Sequence, residues 1–331
     1  YEKGLELYSK GVLIMDKCAD LLPDYFSFVK GIVDSEDISL NISRETLQEN
    51  YQIKSIAKSL ESKIKKELEK MLKNDRENYE KFFKDFGMQL KVGIYESYGM
   101  AKETLQDLLL FYSSKEKKMV TLDEYVSSMS DDDKTIYYAC GETIDKIDLL
   151  PQVEAAKERG IDILYLTDYL DEFVFKVMMN YKEKNFVNVA SEEADFESDE
   201  EKEELKKTNE EYKDMFTKMH DVLNNGVNEI AFTHRLKNHP VCLTSKGDVS
   251  VEMQKVMDAM PTDTGVKATT VMEINESHPI ANKLKSLYEK KDYETLEKYS
   301  KILYAEARLI EGMSLDNPTE ISNLISEELA K

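Results

Sequence analysis

Apolar residues near the start of the chain fall at Leu5, Leu7 and Tyr8, and Gly11 to Met15 forms a short apolar run. A helical stretch, Asp20 to Tyr25, carries a turn at Pro23, and Phe28 to Val33 is apolar and partly β-branched, which predicts strand, helix, strand. After a polar loop, Ser43 is placed to cap a long helix. Its stripe of Ile53, Ile56, Leu60, Ile64, Leu68 and Leu72 repeats at helical offsets. Ala101 to Tyr112 reads as a second helical stretch, and the serines and aspartates of Ser127 to Asp133 mark a border.

From Thr135 strands alternate with helices: Thr135–Cys140, a helix to about Lys157, Ile161–Leu166, a helix over Asp168–Tyr181, then Phe186–Val189. Such alternation predicts parallel pairing with right-handed crossovers, with Gly141 and Gly160 at the turns. Ser191 to Glu204 is strongly acidic and predicts an exposed hinge leading into a helix that ends near Gly226.

The last third predicts a strand at Val241–Leu243 and a helix from Ser250 to the stop at Pro261. A strand at Ala268–Ile274 follows, then a helix opened by Pro279. Two helices close the chain. One carries Leu296, Tyr299, Leu303, Ala307 and Ile310 on one stripe; the other opens at Asn317-Pro318 and presents Ile321, Leu324, Ile325 and Leu329. Each arm of this hairpin needs a partner. A second copy completing a four-helix bundle and the chain's own C-terminal domain both satisfy the pattern.

Composition narrows the function. The 331 residues carry a net charge of −21 with 41% hydrophobic content, enough for two or three cores at about 100–200 residues each. That charge, with no basic face, argues against nucleic acid and anionic membranes as partners. No apolar run suits a membrane span, no signal peptide opens the chain, and Cys18, Cys140 and Cys242 read as buried reduced thiols, so a cytoplasmic protein is expected. Opening at Tyr1 within an established pattern, the sequence reads as part of a longer protein.

Nucleotide-loop, zinc-protease and serine-hydrolase motifs are missing. His234, His239 and Cys242 match no standard metal spacing, and His278 before Pro279 suits a helix cap. Arg44 stands at a helix start, where an anion is favoured and a cation needs compensation. Pairing with Glu36, Asp37 or Glu45 would supply it; so would a phosphate, with Gln48 one turn on. Met253, Val256, Met257 and Met260 form a stripe that suits either a core or an adaptable binding face. Phe173 and Phe175 are two residues apart on one helix and cannot share a layer, so one is expected outside the core. The Cys140-Gly141 turn is a candidate ligand crevice if the fold is a doubly wound α/β enzyme. A purely structural dimer is the other alternative.

The runs Gly31–Asp37, Leu40–Gln48, Asp148–Gln152 and Pro240–Leu243, in this order, resemble the middle and C-terminal domains of the heat-shock protein 90 chaperones in their bacterial form. The resemblance implies a mixed α/β fold: three-layer α/β/α units followed by a small α/β domain ending in a dimerising helical hairpin. It implies a middle domain at 1–190, made of a large α/β/α part at 1–87, a helical connector at 88–132 and a small α/β/α part at 133–190. An acidic hinge at 191–204 and a dimerisation domain at 205–331 would follow. In such a protein Arg44, helped by Gln48 on the loop that holds Asn41 and Ser43, would reach the γ-phosphate of ATP bound with Mg in a separate N-terminal domain. This chain alone would bind no cofactor and would not be an enzyme. Partly unfolded client proteins would meet Phe173 and the stripe Met253, Val256, Met257 and Met260. Leu296, Leu303, Ile310, Ile321, Leu324, Ile325 and Leu329 would join two copies. The expected partners are therefore clients, a second copy and the protein's own ATP-binding domain.

Overall fold

The computed structural model describes residues 4–38, 51–130, 132–194, 197–223, 226–261 and 265–330. The architecture is mixed α/β, and the contacts divide it into two compact units. The first comprises Tyr1–Phe111, Met119–Asp132 and Phe173–Lys182; the second comprises Tyr112–Lys118, Asp133–Glu172 and Glu183–Lys331.

In the first unit β1 (Leu5–Ser9) is the middle strand of a sheet, antiparallel to β2 (Val12–Cys18) and parallel to β3 (Ile32–Asp34). Alternation along β1 buries Leu5 and Leu7 against Ile53, Ile56, Leu60 and Ile64 of the helix Tyr51–Asn74, so the expected stripe faces this sheet. The Asp20–Tyr25 stretch is instead two short 3-10 turns, Ala19–Leu21 and Asp24–Phe26, separated by Pro23. A second long helix, Arg76–Glu96, was not expected from the pattern. Glycines weaken a helical reading, yet Gly93 is required here because a Cβ would stand 2.6 Å from Tyr25. The expected helix over Ala101–Tyr112 reduces to Lys102–Leu105 and a 3-10 turn before β4 (Leu110–Ser113). Leu108 to Phe111 is apolar at every position and buried throughout, which suits a strand covered on both faces as well as a helix. β5 (Lys118–Thr121) and a capped helix Leu122–Ser127 follow.

The second unit is built on two sheets. In one, β6 (Thr135–Cys140) lies between β7 (Leu164–Leu166) and β9 (Lys184–Asn188), parallel to both, and β7 pairs antiparallel with Tyr112 and Ser113 of β4. The alternating pattern from Thr135 therefore folds with the expected parallel pairing. Between β6 and β7 in the chain come the helices Ile144–Asp148 and Pro151–Glu158; before β9 come the helix Asp171–Met178, which from Phe173 on belongs to the first unit, and that unit's short β8 (Asn180–Tyr181). The helix Asp171–Met178 stops where Met179 takes a φ of 65°.

The other sheet has the order β10 (Glu229–Thr233), β12 (Thr269–Asn275), β11 (Val241–Lys246), and β10 was not expected from the sequence. Its core unites Phe232, Leu243, Met272 and Ile274 with Met215 and Met219 of Lys213–Asp221, Leu284 of Pro279–Glu289, and Leu296 and Leu303 of Tyr293–Ile310. The chain ends in the helix Pro318–Leu329. Ser191 bridges to Ser245, Arg235 donates to the carbonyls of Ser191 and Ala194, and Ser198 opens the helix Asp199–Glu211 with a capping box.

Candidate functional site

Two apolar surfaces and one helical hairpin gather the residues singled out from the sequence. On the helix Asp171–Met178, Phe175 is buried with its ring edge-on to Phe111, centroids 4.9 Å apart. Phe173 points elsewhere and is half-buried, its ring edge-on to Tyr95 at 6.0 Å. On the segments that adjoin these two residues in the chain, Tyr98 is 88% exposed, Met100 85% and Met179 72%. Local chemistry holds them out: Tyr98 and Gly99 both take positive φ in the turn after Glu96, and a Cβ on Gly99 would stand 3.4 Å from Val177. Lys102 Nζ donates to the Met178 carbonyl at 2.9 Å, satisfying an end carbonyl of the Phe173 helix. Sequence periodicity did not identify Tyr95, Tyr98, Met100 or Met179; their signal is dense apolar residues around a glycine turn.

The second surface is the helix Val251–Asp258, which stops short of the expected Met260. Ser250 caps it, its Oγ accepting the Met253 amide at 3.0 Å and donating to Glu172. The four stripe residues do not share one environment: Met253 is buried, Val256 and Met257 are half-buried, and Met260, beyond the helix, is exposed.

In the hairpin, Leu296 and Leu303 belong to the core of their own chain, 1% and 4% exposed. Ile310, Ile321 and Leu324 are half-buried, while Ile325 and Leu329 are exposed beside a groove of about 380 Å³ shared with Tyr299 and Ile302. The first helix thus packs on its own domain, and its open apolar surface lies toward the terminal helix.

Arg44, Gln48, Asn41 and Ser43 lie outside the described residues. Among the described residues no group of three or more His, Cys, Asp or Glu is arranged to hold a metal. His234, His239 and Cys242 face separate carboxylates: Glu276 at 2.6 Å, Glu154 at 3.6 Å and Glu273 at 3.8 Å. His278 caps the helix Pro279–Glu289, Nδ1 accepting the Ile280 amide at 3.2 Å. The three cysteines are free thiols. No helix among the described residues is long and apolar enough to cross a membrane.

The chain belongs to the Hsp90 protein family, whose model matches residues 1–331. It is 55% identical over 323 residues to the Chaperone protein HtpG of Clostridium acetobutylicum, covering 98% of this chain and 51% of that protein. The Chaperone protein HtpG of Clostridium perfringens strain 13 and that of Oceanobacillus iheyensis are each 54% identical over 323 residues, with the same coverage. The chain therefore spans about half the length of the curated relatives it matches.

Proposed function

We propose that this chain is the middle and C-terminal part of a cytoplasmic, ATP-dependent homodimeric chaperone that binds partly unfolded client proteins. The middle domain is 1–190, the acidic connection 191–204 and the dimerisation domain 205–331. The observation that carries the client-binding role is that Tyr98 and Met100 stand exposed on either side of Gly99, whose Cβ position meets Val177 one turn on from the half-buried Phe173, with Met179 exposed just past the end of that helix. Exposed apolar side chains gathered on neighbouring elements suit an interaction site, and unbranched methionines adapt to irregular partners. Met257 and Met260 offer a second such surface, with Val256 beside them. Met253 acts from beneath, as packing. Ile325 and Leu329, with Ile310, Ile321 and Leu324, meet a second copy, and Leu296 and Leu303 support them from the core. Arg44, with Gln48 and the loop residues Asn41 and Ser43, serves ATP hydrolysis in the longer protein by placing positive charge at the γ-phosphate. ATP and Mg are bound by the N-terminal domain.

The test is light scattering of a heat-destabilised enzyme in the presence of this chain and of two variants, Phe173→Ser with Met179→Ser and Met257→Ser with Met260→Ser. The wild type suppresses aggregation, and the folded Phe173 variant loses most of that suppression. Equal suppression by all three proteins would overturn the assignment of these surfaces.

A further inference from the structure

The carboxyl end of β6 is a topological switch point. The chain leaves β6 to lay β7 on one side, then crosses to lay β9 on the other, both parallel to it. In open α/β sheets the diverging connections at such a point leave a crevice, and ligands bind there. Here the crevice is a cavity of about 620 Å³ whose lining includes Cys140 and Gly141, the turn that follows β6. That size lies within the range of small-molecule sites. Gly141 donates to the Leu166 carbonyl at 3.1 Å, and any Cβ on it would stand 2.8 Å from the buried Ile147. The turn can therefore press against the helix Ile144–Asp148 only as glycine.

The polar groups around the cavity are unequal. Lys146 is held by Glu142, and Lys255 by Glu252 at 2.8 Å and by the backbone carbonyl of Glu311. Among the described residues the Glu311 carboxylate receives a long hydrogen bond, 3.4 Å from Gln152 Nε2, whose better bond goes to the Leu243 carbonyl at 2.8 Å. Glu311 is fixed there by the helix end it caps. Gly312 at φ 70° donates to Leu309 and Met313 donates to Arg308, the paired bonds of a Schellman turn. Apolar walls come from Ile147, Leu150 and Leu309, the last 59% exposed at the rim.

We propose that this crevice binds a small amphipathic cation, its ammonium or amidinium on the Glu311 carboxylate and its apolar body against Ile147, Leu150 and Leu309. Both lysines already have anionic partners, so the described lining offers a carboxylate and no lysine without a counter-charge. Burial pushes Glu311 up to about 7, with Lys255 and Gln152 opposing and Glu252 adding to the rise. The other groups facing the cavity are Cys140, Glu142 and Lys146. Cys140 stays a neutral thiol, pushed up by its burial and by Glu172. A cation therefore binds the ionised carboxylate and expels a proton from the neutral one.

Benzamidine, titrated calorimetrically into the full 331-residue chain, tests this. Binding should be about tenfold tighter near pH 8 than near pH 6, with proton release, and neutral benzamide should not bind. Glu311→Gln should abolish binding at both pH values, while Glu306→Gln on the same helix should leave it unchanged. Leu309→Lys, at an exposed position, tethers a cation at the rim and should block benzamidine without disturbing the fold. No binding at millimolar benzamidine, pH-independent binding, or binding that survives both Glu311→Gln and Leu309→Lys would overturn the proposal.

Discussion

Ser250 joins Glu172 by a hydrogen bond in which the hydroxyl serves two elements at once. Ser250 Oγ donates to Glu172 Oε2 while it accepts the Met253 amide as the cap of the helix Val251–Asp258. Glu172 is 4% exposed, and its other oxygen takes the Tyr138 hydroxyl at 3.0 Å and the Asn188 amide at 2.8 Å. A buried carboxylate depends on these donors, because every one lost leaves it less solvated. Ser250→Ala removes both a cap and a donor, so a loss of about 1–3 kcal/mol is expected. Urea unfolding measures it, and hydrogen exchange should show faster opening confined to Val251–Asp258. An unchanged midpoint would mean that another group takes over both roles.

The elements that were legible are those whose pattern allows one solution. Ile53 to Ile64 repeats at helical spacing over several turns, and Thr135–Cys140 is a β-branched and aromatic run closed by glycine; both fold as expected. Leu108 to Phe111 folds as the end of a turn and a strand instead of a helix, because a run apolar at every position carries no period. Gly87 and Gly93 lower the helical propensity of Arg76–Glu96, and Gly93 lies so close to Tyr25 that a Cβ there would stand 2.6 Å away. For the candidate sites, spacing put Met253 and Met257 on one face but could not say that Met253 is under that face. Leu296 shows the same limit, since a stripe identifies a buried side and leaves open what buries it.

The start of the acidic segment is pinned by Arg235. Its Nη1 donates to Ser191 O at 2.7 Å and Ala194 O at 3.0 Å, and its Nη2 to Glu273 Oε1 at 2.5 Å. Burial opposes the charge on Arg235, but Glu273 more than offsets this and holds the guanidinium firmly protonated. Arg235→Met leaves the mostly buried Glu273 without its counter-charge, which costs up to about 3 kcal/mol. It should also free residues 191–194, so limited proteolysis should cut the acidic segment sooner. Adding Glu273→Gln should recover part of the stability and none of the protease resistance. Protease resistance equal to wild type in the single variant would rule out the pinning role.

Glu276 predicts an acid limit to stability. Burial raises its pKa, but the bond from Lys285 at 3.0 Å and the contact with His234 at 2.6 Å outweigh it and hold the carboxyl below its ordinary 4.5. A carboxyl depressed in the folded state binds protons more readily when unfolded. Its contribution is therefore present above 4.5 and lost as pH falls through the lower folded value. Glu276→Gln should lower stability at neutral pH and flatten the acid side of the stability profile below 4.5. Urea midpoints across that range test this; parallel wild-type and variant profiles would contradict it.

The proposed dimer rests on surface that the chain does not bury for itself. Leu329 is 84% exposed and Ile325 39%, both beside the groove that runs to Tyr299 and Ile302, whereas Leu296 lies in the core. Charge at the two kinds of position should therefore act differently. A twofold interface carries each residue twice, so losing an apolar burial of about 2 kcal/mol costs about 4 kcal/mol per dimer. That weakens association by about a thousandfold. Ile325→Asp and Leu329→Asp should each give a folded monomer in sedimentation velocity with little change in the thermal transition of the monomer unit. Leu296→Asp should unfold the C-terminal core whatever the oligomeric state. A dimer that survives Ile325→Asp with Leu329→Asp would place the interface on another face of the hairpin.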